Sequence, residues 1–582
     1  MPGLSRGARR LAQLAPMTLL LAAFFLAPLL RAVFGSIGGL ALDFHGYAGI
    51  AADPLYADVL ARTFRVAATV TIISVAAGYP VAYLLTAVSR RSAAILGVCI
   101  VVPLFTAYLI RTYAWVVVLG RNGVLNKMLL SLGLIEAPLK ILGTGVAVAI
   151  GMIHVLMPVA IFTMYASMAR LDRSLVAAAQ VLGANPLRAF TRVYLPMSLP
   201  GVISAALLVF IIATGFYITP VLLGGPADTM IAQLIVLKVT TSLDLPFGYS
   251  LALILLLVTL GAIALASLFV PIDQIWAPQR SEVEPRRLMR RKAALYRPVS
   301  ALFARIGRVV GDALGRVVWL IPALLRAYAA LAVAFLVAPL VIVYILSFSS
   351  SLYIVFPPPG FSLQWYEKFF TSADWRGALS MSLRLAVVVA SLSTIIGGFA
   401  AFALVRSDFP GKRVLFLLMM APLLVPAVVM SLLLYVSMAD IGLLGTFGGL
   451  VLGHLVLATP YAVIVLTGAV RGLDRNLEDA ASVLGAPPSR TLRTIVLPLL
   501  APALLTAWIM AFLTSFDEFL VTLFLLGRQT QTLPLKMWSE IRIQLDPVIS
   551  AASSSIITVV ALIVIGAELR RHATHRVPGQ PA

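Results

Sequence analysis

Two stretches of this chain match each other at a constant offset of 302 residues, and each is a short polar island between apolar runs. Residues 171–196 read LDRSLVAAAQVLGANPLRAFTRVYLP, and residues 473–498 read LDRNLEDAASVLGAPPSRTLRTIVLP. They agree at 14 of 26 positions, among them Leu171-Asp172-Arg173, Ala178-Ala179, Val181-Leu182-Gly183-Ala184, Arg188 and Leu195-Pro196. A period that long is not a solenoid; it is a duplicated half-protein.

The runs around these islands decide the environment. The chain of 582 residues is 61% hydrophobic and 12% charged with a mean hydropathy of +1.02, far more apolar than a soluble domain. Continuous apolar runs of about 20 residues match a hydrocarbon core about 30 Å thick, and their lack of alternation excludes barrel strands. The prediction is therefore an all-α polytopic membrane protein. Spans are expected near 15–34, 64–88, 93–119, 143–168, 199–223 and 248–272, then 324–348, 380–405, 414–436, 447–469, 501–526 and 548–567. That is about 12 helices in two six-helix halves, and an even number per half makes the halves parallel.

Charge sets the expected orientation. The net charge of +21 is not a nucleic-acid footprint, because the arginines lie between apolar runs rather than on a basic soluble domain. With both termini in the cytoplasm, Arg6, Arg9 and Arg10, Arg90-Arg91, both matching stretches, Arg406 with Lys412-Arg413 and Arg570-Arg571 all fall on the positive-inside face. The run at 15–34 is long for a signal-peptide core and is read as a retained first span. The expected domains are a first half at 1–275, a basic connection at 276–320 and a second half at 321–582. Within the connection, 302–318 is basic and amphipathic, suited to an anionic leaflet or to service as a solvated linker.

The repeated stretch itself predicts a helix-turn-helix. In the second copy Asn476 is the expected N-cap, Glu478 and Asp479 place negative charge in the first turn, and Gly485 stops the helix. Pro487-Pro488 then opens a second short helix bearing Arg490 and Arg493, leading through Leu497-Pro498 into the next span. Small alanine side chains let another backbone approach closely, as a docking element needs.

Ala-Ala-xxx-Gly, followed thirteen residues later by the proline of a Leu-Pro ending, resembles the EAA loop of ABC importer permeases, proteins of MetI-like fold. The resemblance implies that this loop docks into a groove of a cytoplasmic ATPase and transmits its closure. It implies coupling by Ala178, Ala179, Gly183 and Pro196, and by Asp479, Ala480, Ala481, Gly485 and Pro498. The motif's acidic position holds Asp479 in the second copy but Ala177 in the first, so the two ATPase contacts are expected to differ. The implied partners are two cytoplasmic ABC ATPase subunits, a periplasmic or extracellular solute-binding protein and the bilayer of an inner membrane. ATP and Mg would be bound by the ATPase, with no cofactor in this chain.

The resemblance narrows further. Leu109 to Trp115 (LIRTYAW), Asn122 to Asn126 (NGVLN) and Leu222 to Gly225 with Met230-Ile231 look like one permease subunit of spermidine/putrescine-type importers. Phe361 to Tyr366 (FSLQWY), Ser515 to Phe519 (SFDEF) and Leu533-Pro534 through Trp538 look like its partner subunit. Two ordinarily separate subunits are thus expected in one chain. Permeases for opines, aminoethylphosphonate and ferric ion share these features and stand as alternatives for the solute.

Charges inside apolar runs are costly and usually face a pathway or a partner. Asp517 and Glu518, in the run 501–526, are read as an acidic lining for a cationic solute, with a capped helix break as the structural alternative. The aligned position in the first half is Gly215, followed by Phe216 and Tyr217, whose ring offers a face for a cation. Arg111 and Arg384 sit near span ends and suit snorkelling or gate ion pairs. His154 and His454 suit hydrogen-bonded packing.

No GxxxxGK[ST] stretch occurs, so ATP hydrolysis through that motif belongs to another protein. Cys99 is the sole cysteine, and His572 and His575 lie in a terminal tail, so no metal site is expected. No paired carboxylates or activated nucleophile mark a catalytic site. Twelve spans in two parallel halves also describe ion-gradient-driven transporters, but the matching loops between the fourth and fifth span of each half favour the importer.

Overall fold

The computed structural model of the chain describes residues 6–269, 320–525, 527, 531–543 and 546–574. The expected connection at 276–320, with its segment 302–318, lies outside the described residues but for Leu320. The described residues are helical throughout, with one isolated antiparallel bridge between Ser349 and Phe361.

Among the described residues ten helices are long and apolar enough to cross a membrane: Ala12–Ser36, Pro54–Ala87, Gly145–Met168, Pro186–Thr214 and Leu245–Ser267, then Ile321–Leu346, Ala373–Arg406, Phe447–Gly472, Pro488–Asp517 and Val548–Gly566. The third span of each half, expected as one straight helix, is instead a bent pair. Arg90–Phe105 meets Tyr108–Ser131 at 95°, and Lys412–Leu424 meets Ala427–Asp440 at 100°. Counting each pair once gives twelve spans. Proline accounts for both bends. Pro103 withdraws a ladder donor just before Thr106 turns extended, and Pro426 forces Val425 into an extended conformation.

The expected division at 276–320 is not the division by packing. One compact unit comprises 58–230, 259–369 and 540–582; the other comprises 1–57, 231–258 and 370–539. The core of the first surrounds Val70, Met152, Ile161, Ala205 and Val209, and it admits Ala332 and Leu336 from Ile321–Leu346. That helix buries a stripe of Ala329, Ala332, Leu336, Leu340 and Val343, spaced three or four apart, against Arg90–Phe105 and Tyr108–Leu119. Polar ties fix the exchange. Tyr328 Oη donates to the Ala77 carbonyl at 2.7 Å, His154 Nε2 lies 3.0 Å from the Leu336 carbonyl, and Tyr113 Oη is 3.0 Å from Ser550 Oγ.

The second unit is a three-helix core of Ala373–Arg406, Phe447–Gly472 and Leu497–Asp517, on which Arg6–Leu21 packs. Ala27–Ser36 lies on Ala427–Asp440, where Arg31 forms a salt bridge with Asp440. Each packing unit thus takes its first span from the opposite sequence half.

The longest helices, Pro54–Ala87 and Ala373–Arg406, align end to end, and Gly78 and Gly397 fall in the same register. A Cβ at Gly397 would stand 2.8 Å from Ala462 Cβ, and one at Gly78 would stand 3.0 Å from Ile161 Cγ1. Glycine at both is what lets the fourth span approach so closely.

Candidate functional site

The two matching stretches fold alike. The first gives Ser174–Val181, a turn, Pro186–Ala189 and a wide turn at Phe190–Tyr194 running into Leu195–Thr214. The second gives Arg475–Val483, Pro488–Thr491, Leu492–Val496 and Leu497–Asp517. Pro196 and Pro498 stand directly after the wide turns, where the helix ladder is already interrupted and the missing N–H is accommodated.

Both copies start on an aspartate. The Asp172 carboxylate accepts from Ser174 N at 2.9 Å, and that of Asp474 accepts from Asn476 N at 2.9 Å. The cap of the second copy is therefore Asp474 and not Asn476, because the helix begins earlier, at Arg475. The Ser174 hydroxyl and backbone N–H together hold the Asp172 carboxyl below its ordinary value. Both helices close on a glycine in the left-handed region, Gly183 at φ +89° and Gly485 at φ +78°. Ala184 N then reaches back to the Ala179 carbonyl, and Ala486 N to the Ala481 carbonyl, each at 3.0 Å.

What the turns present is apolar. Val181 and Leu182 are each 88% exposed, Val483 87% and Leu484 86%. Ala178, Ala480 and Asp479 are exposed beside them, Ala179 is half-buried and Ala481 is buried. Exposed large aliphatic side chains of this kind, two on each turn, are a feature that calls for an explanation.

The copies are held differently. Arg406 Nη2 donates to Glu478 Oε1 at 2.6 Å and to the Leu473 carbonyl at 3.1 Å. Ala87 and Val176 occupy the equivalent places in the first half, where Arg173 Nη2 instead donates to Thr86 Oγ1 at 2.7 Å.

The expected fifth spans at 199–223 and 501–526 are broken in the same place. Leu195–Thr214 stops at Gly215 and resumes as Ile218–Leu223; Leu497–Asp517 stops at Glu518 and resumes as Leu520–Leu525. Glu518 Oε1 accepts from Val521 N at 2.8 Å, so this carboxylate caps the second segment. Asp517 is half-buried at the end of the preceding helix. His454 lies across the break, its Nδ1 2.9 Å from Ser515 Oγ and its Nε2 3.1 Å from Thr522 Oγ1. At the first-half break, Thr112 Oγ1 and Thr219 Oγ1 are 2.8 Å apart and Tyr217 is 9% exposed.

The family model described as "Binding-protein-dependent transport system inner membrane component" matches this chain twice, at residues 17–272 and 393–572. The chain belongs to that family. The spermidine/putrescine transport system permease protein PotB of Haemophilus influenzae is 37% identical over 201 residues, covering 34% of this chain and 70% of the relative. PotC of the same organism is 33% identical over 247 residues, covering 42% of this chain and 94% of the relative. The putrescine transport system permease protein PotI of Escherichia coli is 34% identical over 240 residues, covering 39% and 84% respectively. Most of each relative fits into roughly two fifths of this chain, and the family match occurs twice, so this binding-protein-dependent permease is a fused pair. It is a multi-pass inner-membrane permease of the ABC importer class, not itself an enzyme.

Of the two arginines read near span ends, Arg111 sits differently from its sequence reading. Arg111 does not snorkel. The 95° bend carries it fully inside, where Nη1 donates to the Val155 carbonyl at 2.9 Å and the guanidinium lies 4.7 Å from the Tyr108 ring centre. Arg384 is exposed. The Arg406–Glu478 pair and the His454 bridge had no sequence signal, because each joins residues more than 60 apart. Among the described residues no group of three or more His, Cys, Asp or Glu is placed to hold a metal.

Proposed function

We propose that one copy of this chain forms the whole membrane pathway of an ATP-driven polyamine importer. The observation that carries this is the doubled turn, with Val181-Leu182 and Val483-Leu484 exposed in matching places. Each turn docks one cytoplasmic ABC ATPase subunit, which binds ATP and Mg; both termini lie on that side. A solute-binding protein delivers cargo to the opposite face. Closure of the ATPase pair moves the two elements and converts the permease between its two access states.

Ala178, Ala179 and Gly183, with Asp479, Ala480, Ala481 and Gly485, shape the docking turns, and Pro196 and Pro498 pass their movement into the fifth spans. The buried Ala481 acts by packing beneath the helix rather than by touching the ATPase. The polyamine assignment is supported by similarity to permeases named for spermidine and putrescine. The acidic pair at the second break suits a cation: Asp517 is the charge offered to solute, Glu518 is both charge and cap, and Tyr217 is an apolar wall at the other break.

The test is saturable uptake of labelled spermidine in cells expressing the chain with its ATPase and binding protein, compared with Asp517→Asn. Loss of uptake with unchanged ATPase assembly supports the reading. Uptake of aminoethylphosphonate, an opine or ferric ion in its place moves the solute to a sister class.

A further inference from the structure

Arg65 and Arg384 hold the same register in the two halves, since Pro54–Ala87 aligns with Ala373–Arg406 at an offset of 319. Both side chains are exposed on apolar helices, and among the described residues neither makes a salt bridge. Arg384 Nε donates to the Ser380 carbonyl at 3.3 Å, so the side chain runs back toward the helix N-terminus. From Arg384 to Arg406 is 22 residues, about 33 Å of helix at 1.5 Å per residue. That is about the 30 Å thickness of a hydrocarbon core, so the guanidinium stands at the level of lipid headgroups. Given the orientation proposed above, these belong to the outer leaflet.

Beside Arg384 opens a cavity of about 440 Å³ lined by Leu383, Val387, Val388 and Phe447, apolar apart from the arginine itself. A cation in the wall of an otherwise apolar trough matches an anionic amphiphile, phosphate on the guanidinium and acyl chain on the apolar lining. A polyamine is excluded by its own charge. The first half does not repeat this lining: the positions of Val387, Val388 and Phe447 hold Ala68, Thr69 and Gly145. We propose that Arg384 and this trough bind one anionic phospholipid, and that Arg65 does not form an equivalent site.

The test is native mass spectrometry of the delipidated full chain titrated with phosphatidylglycerol, phosphatidylethanolamine and glycerol phosphate. Phosphatidylglycerol should bind more tightly than phosphatidylethanolamine, and Arg384→Gln should weaken its tightest site by about fivefold. Arg384→Lys should restore most of it, Val387→Trp should weaken it with the charge intact, and Arg65→Gln should leave it unchanged. Unchanged phosphatidylglycerol binding in Arg384→Gln overturns the proposal. Equal competition by glycerol phosphate overturns the acyl trough, and loss of solute uptake in Arg384→Gln with unchanged lipid binding puts the arginine in the solute route instead. Neither ATPase nor solute enters the titration, so its outcome is separate from that of the polyamine reading.

Discussion

Arg406 and Glu478 join the end of a 34-residue span to the second matching stretch through a 2.6 Å ion pair, and the first half has alanine and valine in their places. The second stretch is thus held electrostatically to its second span, whereas the first is held through the neutral oxygen of Thr86.

A double-mutant cycle on Arg406→Ala and Glu478→Ala should give a coupling of about 0.5–1 kcal/mol, the range for partly exposed pairs. High salt should raise amide exchange in Arg475–Val483 more than in Ser174–Val181. Equal salt sensitivity of the two helices contradicts the assignment.

Gly485→Ala should cost about 1–2 kcal/mol locally through its left-handed backbone, with no clash, because nothing lies within 4 Å of the new Cβ. Gly485→Asn should cost less, since asparagine tolerates that region. The same order is expected at Gly183. Exchange rates across each turn and ATPase retention on affinity capture check both.

Asp172 makes the first element pH-sensitive in one direction. Its folded carboxyl titrates below the unfolded value of about 3.9, so its bond to Ser174 stabilises fully above that value and is lost as pH falls through the lower folded one. Asp172→Ala should therefore speed exchange at the start of Ser174–Val181 at pH 7. Below the folded value it should match the unaltered chain.

His454→Ala should destabilise by about 1–3 kcal/mol, because the buried Ser515 and Thr522 hydroxyls lose a partner across the break. His454→Gln should recover part of this. Thermal unfolding in detergent measures both.

The spans and the helix-turn-helix of the two matching stretches were legible because both rest on local signals: apolar run length, an aspartate at the helix start, and a glycine thirteen residues before a proline. The bends at Pro103 and Pro426 and the break at Gly215 were hidden inside runs whose hydropathy does not change where the backbone turns, whereas the capped break at Glu518 stood among the sequence alternatives. The exchanged first spans were illegible for another reason. Ile321–Leu346 has an apolar stripe that names no partner, and only packing shows it against Arg90–Phe105 and Tyr108–Leu119 of the other half as well as Val548–Thr574 of its own. Glu518 shows the limit for single residues, since a carboxylate in an apolar run reads the same whether it meets solute or caps a helix.

The exchange predicts that residues 1–275 or 321–582 expressed alone should lack a stable fold, and that co-expression should restore one.

The most direct test of the central claim is the mass of the complete complex, with the ATPase captured through the permease. One permease chain with two ATPase subunits is predicted, falling to one ATPase with Leu484→Asp or Leu182→Asp and to none with both. Two permease chains per complex, or full ATPase retention in the double variant, would contradict the account.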